Sequence, residues 1–94
     1  MSTHAWIVYD ESITTKKYAF PIRVNKNQLV LIELTNIGPH NCEVQTRNVN
    51  QPFPAGETMV VQIAGKDDIT DDHITIELKA EDDKYAAGTW EILG

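Results

Sequence analysis

Apolar and polar residues alternate along most of the chain, in short runs separated by Gly, Pro, Asn and Asp. A period of two is typical of a β-strand that buries one face, and no long stretch shows the 3.6-residue period of an amphipathic helix. The pattern predicts about seven strands, at residues 4–10, 18–24, 28–35, 40–46, 57–64, 73–80 and 89–93.

The alternation also predicts which side chains lie together. Pro21 indicates that the second strand lies at an edge or contains a bulge, because proline cannot donate to a strand ladder. The strand at 28–35 is the most apolar and is predicted to lie inside its sheet. Side chains predicted to share a face are Trp6 with Val8, Val30 with Ile32 and Leu34, and Met59 with Val61 and Ile63, while Ile74, Ile76, Leu78, Trp90 and Ile92 are directed inward.

Turn-forming residues predict the connections. Residues 11–17, 36–39, 47–56, 65–72 and 81–88 are predicted to be turns or loops, with one helical turn at 84–87. Phe53 lies between two prolines in one of these loops, and two interpretations of it stay open. It either plugs the end of the sandwich near His40 or projects as a contact for a partner.

Seven short strands, with no helix long enough to cover a parallel sheet, predict an all-β protein. The expected architecture is a two-sheet antiparallel Greek-key β-sandwich. Ninety-four residues provide one such domain, spanning 1–94.

Composition and charge limit the classes of partner that the chain is expected to bind. The chain is 41% apolar, which is ordinary for a globular protein, and its net charge is −6. An acidic protein without a basic patch is not expected to bind nucleic acid or an anionic membrane. The balance favours a protein partner or a homo-oligomer.

The single cysteine, Cys42, cannot form an internal disulfide. No apolar run approaches the roughly 18 residues that span a bilayer. The first ten residues do not show the basic and apolar regions of a signal peptide, so the sequence predicts a cytoplasmic protein unless a leader has been removed.

The chain from about Phe20 onward resembles the cupredoxins, the small blue-copper β-sandwich proteins. The resemblance rests on the strand-turn-strand IRVNKNQLVLIELTN, on Asn36-x-Gly38-Pro39-His40-Asn41, on PAGET at 54–58 and on GTWEI at 88–92. It implies a cupredoxin-like or immunoglobulin-like sandwich. It also implies that His40 occupies the place of a copper ligand and that Asn41 ties down the copper loop.

The chain departs from the cupredoxins at its last strand. In that family the last strand leads into a loop that carries the copper thiolate, a second histidine and usually a methionine. The thiolate position falls on Gly94, so the C-terminal copper-ligand loop is missing. A blue-copper centre needs two imidazoles and one thiolate, and the chain provides only His40 in the familiar place.

His40 and Cys42 are the candidate metal ligands. Residues i and i+2 of a strand point the same way, and an imidazole with a thiol suits copper or zinc. Two ligands do not close a zinc site, so His4, His73 or a second chain would have to complete the set. The alternative is that Cys42 is a small core residue and His40 caps the sandwich end through a hydrogen bond.

The sequence contains two further candidate sites. Cys42 as a nucleophile needs a base and an oxyanion hole, and a histidine two residues away on one face is poorly placed to serve as that base. The acidic turn at 66–72 offers oxygen ligands for calcium, but its spacing differs from the calcium-loop motif, and a solvated turn is favoured for it and for 81–83.

No catalytic constellation is present in the sequence, so the protein is predicted not to be an enzyme. The favoured function is a non-catalytic binding or structural module, serving as an accessory or interaction protein. The alternative is a copper-binding or electron-transfer protein that uses His40 and Cys42, with ligands completed by a partner or a second chain.

Overall fold

Alternating side chains build nine strands in the ranges that the computed structural model describes, which are residues 3–11, 13–46, 49–65 and 71–93. Within β3 every second residue is buried, as expected for a strand with one face on a core. The strands are β1 (His4–Asp10), β2 (Thr15–Lys16), β3 (Tyr18–Asn25), β4 (Leu29–Pro39), β5 (Cys42–Thr46), β6 (Val49–Phe53), β7 (Thr58–Ala64), β8 (Asp71–Ala80) and β9 (Tyr85–Ile92).

The strands form two sheets. Sheet A has the order β2-β1-β9-β4-β7, and sheet B has the order β3-β8-β5-β6. All the observed strand pairs are antiparallel. Without the short β2, successive strands alternate between two four-stranded sheets except at β5 and β6, which are neighbours in sheet B. This is the order of a jelly roll, a sandwich of two Greek keys. The predicted all-β, two-sheet antiparallel sandwich is therefore confirmed, with nine strands rather than seven.

The core lies between the sheets and is rich in aromatic side chains. Phe20 of sheet B stacks on Trp90 of sheet A, with ring centroids 3.9 Å apart and planes 8° from parallel. The buried hydrophobic residues are Trp6, Val8, Phe20, Ile22, Val24, Val30, Ile32, Leu34, Cys42, Val44, Phe53, Ile63, Ile74, Ile76, Leu78, Ala86 and Trp90.

The predicted turn at 36–39 was wrong, because β4 continues through it to Pro39. A register shift between Asn36 and Gly38 marks a bulge in the pairing with β9. Gly38 has a φ of +103°, which glycine adopts readily, and the Gly38–Pro39 peptide bond is cis. These turn-forming residues therefore produce a bulge within β4 and do not end the strand.

The predicted loop at 47–56 was wrong in its middle, where Val49–Phe53 forms β6 against β5. Pro52 suggested a loop, but β6 is the edge strand of sheet B, where proline is tolerated. Phe53 is fully buried, so of its two interpretations the plug is confirmed. Likewise, the loop predicted at 11–17 contains the two-residue strand β2.

The predicted loop at 81–88 with a helical turn at 84–87 was also wrong, since β9 begins at Tyr85. Small residues made this segment look unlike a strand. A Cβ at Gly88 would overlap the Thr35 carbonyl oxygen and the Trp6 ring, so packing requires glycine there. Similarly, β8 begins at Asp71, inside the turn predicted at 65–72, of which residues 66–70 lie outside the described ranges.

Two predictions at strand ends also need correction. Ile92 was predicted to be buried but is 41% exposed. Pairing between β1 and β9 begins at His4 and Trp90, so Ile92 has a strand neighbour only on the β4 side. His40 was predicted to begin a strand, but it occupies a bend, and β5 begins at Cys42.

None of the described residues forms a helix that is long and apolar enough to span a membrane.

Candidate functional site

Asn36 is the centre of the region that contains His40 and Cys42. The alternation that buries Val30, Ile32 and Leu34 continues one step further and directs Asn36 into the core. Its side chain is 0% exposed, and it is the single buried polar side chain in the described ranges. A buried amide is costly unless its donors and acceptors are used, so its hydrogen bonds define the local structure.

The Asn36 side chain joins three segments of the chain. Its Nδ2 donates to the Phe53 carbonyl oxygen at 2.9 Å and to the His40 carbonyl oxygen at 3.1 Å. Its Oδ1 accepts from the Gly38 backbone N–H at 2.8 Å. The two amide hydrogens are thus used, and the 3.6 Å approach of Nδ2 to Cys42 Sγ is a weaker third contact.

Three further hydrogen bonds fix the turn that precedes β7. The backbone of Asn36 donates to the Glu57 carbonyl oxygen and accepts from the Gly56 N–H. Asn41 Oδ1 accepts from the Ala55 N–H at 3.0 Å. Asn41 therefore contacts the loop at 54–57.

Cys42 lies inside this arrangement as a core residue. It is 2% exposed. Burial, followed by the negative charges of Glu81 and Glu43, raises the pKa of the Cys42 thiol to about 12. The thiol is therefore protonated at neutral pH, and this environment disfavours both a nucleophilic thiolate and a thiolate ligand, which requires loss of the proton.

His40 lies at the surface end of the same region. Its Nδ1 is 3.1 Å from the Tyr85 carbonyl oxygen, and the two rings meet edge to face at 5.5 Å. A carbonyl oxygen can only accept, so this bond places the proton on Nδ1. In the neutral imidazole Nε2 then carries the lone pair, which is the arrangement that second-shell carbonyl groups give to metal-binding histidines.

The structure does not bring the other histidines to His40. His4 stacks on Trp90 with centroids 4.3 Å apart, and Trp90 lies five residues along β9 from Tyr85, about 17 Å at the usual rise of a strand. His73 pairs with Arg23 on the exposed face of sheet B. Among the described residues no three or more His, Cys, Asp or Glu side chains are grouped to hold a metal ion.

The metal site at His40 and Cys42 stays a prediction. It is tested by adding one equivalent of Cu(II) to the protein, to His40→Ala and to Cys42→Ser, and recording the visible spectrum. An intense thiolate-to-copper band that both substitutions abolish would establish the site. The absence of that band at micromolar copper would remove this hypothesis.

The calcium hypothesis for residues 66–72 falls mostly outside the described residues. The second acidic turn, Glu81-Asp82-Asp83, is fully on the surface, and Asp83 has a φ of +59°. That conformation is common for Asp in tight turns.

A groove of about 500 Å³ lies beside the hairpin of β1 and β2. Its walls carry charges of both signs in nearly equal number, so it does not favour either an anion or a cation. The charged residues that line it are Lys16, Lys17, Lys79, Asp10, Glu43, Glu81 and Asp82.

Asn36 is the residue whose role sequence reasoning missed. Its signal was present, because it continues the inward phase of Val30, Ile32 and Leu34 by one step. The succeeding Gly38-Pro39 suggested a turn and concealed that continuation.

Comparison with known structures finds the same fold in a designed protein. The solution NMR structure of a de novo designed double-stranded β-helix matches with a TM-score of 0.60, and the alignment covers 98% of this chain and 99% of that chain. The sequences are 11% identical, so the likeness shows the fold alone. No family model and no curated protein matches the sequence. The resemblance to cupredoxins is not tested by these comparisons and stays a prediction.

Proposed function

We propose that this protein is a non-catalytic binding module that docks a protein partner on the outer face of sheet A. The observation that carries the proposal is the difference between the outer faces of the two sheets. The outer face of sheet A is defined here as the outward-pointing residues of β1, β9, β4 and β7. It has large apolar side chains and very few charges.

The apolar part of this face extends across all four strands. Five of its large members are Ile7 on β1, Tyr85 on β9, Leu31 and Ile37 on β4, and Val60 on β7. Four of them, all except Leu31, are exposed, and Ile37 is 70% exposed. Single exposed apolar residues are ordinary, whereas several large ones on one face of a sheet are typical of an interaction surface.

The two charged residues on the outer face of sheet A are Glu33 and Glu91, which lie directly opposite each other on β4 and β9. Like charges in a cross-strand pair are destabilising. A guanidinium group has five donors and can donate to both carboxylates at once, so an arginine is the partner group that this pair fits best.

The outer face of sheet B has a different character. It carries charges of both signs, and Lys17 beside it approaches Glu77 at 4.0 Å. Among the side chains that the structure describes there, the charged ones are Arg23, Glu43, Glu77 and Lys79. A mixed and hydrated surface of this kind suits solubility.

The expected partner is a protein with an apolar surface and an arginine or lysine near its centre. A second copy bound face to face would bring four carboxylates together, which opposes association through this face. The space between the sheets does not offer an alternative site in its core region, because Trp6, Phe20, Phe53 and Trp90 pack there.

A displayed peptide library, selected on the immobilised protein, tests the proposal. Selected peptides should combine apolar residues with arginine or lysine. Their dissociation constants should rise at least about tenfold for Glu33→Gln/Glu91→Gln and for Ile7→Ser, which corresponds to about 1.4 kcal/mol.

The matched control is Glu43→Gln/Glu77→Gln, which removes the same charge from sheet B and should change affinity less than about twofold, since rim charges contribute little. Peptides that bind the Glu33→Gln/Glu91→Gln variant as tightly as the unaltered protein would contradict the proposal. So would amide NMR shifts confined to sheet B.

A further inference from the structure

One edge strand of the sandwich, β7, lacks the features that normally prevent strands from pairing between molecules. The outermost strands of the two sheets are β2 and β7 in sheet A and β3 and β6 in sheet B. Natural edges are protected by shortness, by proline or by charge. In the described ranges β2 has two residues, β3 contains Pro21 and Arg23, and β6 contains Pro52.

The sequence of β7, TMVVQIA, contains neither proline nor a charged residue. It is seven residues long and rich in β-branched side chains, and its hydrogen-bonding partner in sheet A is β4 on one side. Among the described strands none pairs with the other side of β7, so residues 58–63 offer an edge to a further strand. A segment of this length and composition is typical of strands that pair with copies of themselves.

The inward side chains of β7 are incompletely covered. Met59 and Val61 are half-buried and pack against the core, whereas Ile63 is buried. Beside them a groove of about 400 Å³ lies between β7 and sheet B, with Gln51 and Ile74 among its lining residues. A strand added to β7 would place its inward side chains over this groove.

The free part of β1 is the other candidate edge, because β2 pairs with only its last two residues. The inward side chains there, Trp6 and Val8, are already 3% and 0% exposed. Adding a strand to β1 would therefore bury little more apolar surface, whereas adding one to β7 would cover Met59 and Val61.

We propose that β7 pairs with β7 of a second copy, in antiparallel orientation about Val61. In this register Met59 of each copy faces Ile63 of the other, and Val61 faces Val61, so the inward row is apolar throughout. On the outer face Val60 lies opposite Gln62. All of these pairs are uncharged, so the junction does not bring like charges together.

Pairing through β7 joins the two copies of sheet A edge to edge. The outer face of sheet A stays open in each copy, so the dimer would present two such faces side by side. This inference goes beyond the binding function proposed above and does not depend on it.

The test is the mass of the full chain in solution, measured by sedimentation over a range of concentrations. The expected species is a dimer of twice 10.6 kDa. The variant Val60→Lys/Gln62→Lys places like charges on opposite positions of the junction. Both residues are exposed, so the monomer should stay folded, which circular dichroism and thermal unfolding check.

This variant should raise the dimer dissociation constant about a hundredfold or more, which corresponds to about 2.7 kcal/mol. The matched control is Ala19→Lys/Thr75→Lys, which adds the same charge to the exposed face of sheet B and should leave the dimer unchanged. A mixture of Val60→Lys/Gln62→Lys with Val60→Glu/Gln62→Glu should restore the dimer, since opposite charges then face each other.

A chain that stays monomeric at several hundred micromolar, a dimer that survives the lysine substitutions, or a mixture that fails to restore association would each overturn the inference. Glu33→Gln/Glu91→Gln should leave the dimer unchanged. An incorrect proposal about partner binding on the outer face of sheet A can therefore be distinguished from an incorrect proposal about pairing through β7.

Discussion

Replacing Asn36 by alanine should cost far more stability than the loss of one surface amide. The substitution removes the donors to the Phe53 and His40 carbonyl oxygens and the acceptor for the Gly38 N–H. A hydrogen bond contributes about 1 kcal/mol net, but a buried group left without a partner costs about 1–3 kcal/mol. With three bonds lost in one place, the expected loss is about 3–5 kcal/mol.

Chemical denaturation followed by tryptophan fluorescence measures this loss, since Trp6 and Trp90 are both in the core. The matched control is Asn41→Ala. Asn41 is exposed, and its one side-chain bond is to the Ala55 N–H, so the expected loss is below about 1 kcal/mol.

A second variant, Asn36→Asp, tests the hydrogen bonds separately from the packing, because it keeps the side-chain volume and replaces the Nδ2 donor by an oxygen. A carboxylate buried against two carbonyl oxygens should have a pKa above its unfolded value of about 3.9. The folded state then holds its proton more tightly, so stability is greatest below about pH 4 and falls as pH rises through the folded pKa.

The reasoning about Asn36 would be refuted by an alanine variant that loses less than about 1 kcal/mol, which is the contribution of an ordinary hydrogen bond. It would equally be refuted if the aspartate variant showed the same pH dependence as the unaltered protein.

Three other predictions concern the core. Trp90→Ala should lower the free energy of unfolding by about 3–5 kcal/mol, because it removes the ring that stacks on Phe20. A loss below about 1 kcal/mol in denaturant unfolding would contradict the packing described. Gly88→Ala should lower the free energy of unfolding by at least about 2 kcal/mol, because the new Cβ meets the backbone of Thr35, which is held in the sheet. Unchanged thermal unfolding would show that β9 lies further from β4 than the structure places it. At pH 8 Cys42 should react with a thiol reagent at least about a hundredfold more slowly in the folded protein than in urea, since burial raises its pKa to about 12, and equal rates would show that the thiol is accessible.

The fold was predictable from the sequence wherever a strand buries one face and exposes the other. Val30, Ile32 and Leu34 show this in β4, and Ile74, Ile76 and Leu78 show it in β8. The alternation is a direct consequence of the pleat, so it is visible in a single sequence.

The strands that escaped prediction are those in which small residues or proline replace the alternation. In β9 Ala86 and Gly88 occupy inward positions, and at Gly88 a Cβ would meet the Trp6 ring. In β6 Pro52 lies on an edge strand, where its missing N–H is harmless. Local sequence does not reveal how close a neighbouring strand lies. The strands β6 and β9 are defined by that tertiary packing, so they could not be predicted from local sequence.

The sequence indicated the region of His40 and Cys42 as the candidate site, but the contacts of its residues were not predictable. The environments of His40 and Cys42 differ, since Cys42 is in the core and His40 contacts Tyr85. The amide that contacts the His40 carbonyl oxygen and approaches the Cys42 sulfur belongs to Asn36, on the preceding strand. Its role follows from the bulge in β4, which depends on pairing with β9.

The position of β9 has a consequence for how the protein is made. It is the middle strand of sheet A, and β8 is an inner strand of sheet B, although both come last among the described strands. Neither sheet can close until about residue 92 has left the ribosome, so the domain should fold only once β9 is available. Until then β1 and β4 lack the strand that joins them, and β7 is exposed on a chain that has no complete core.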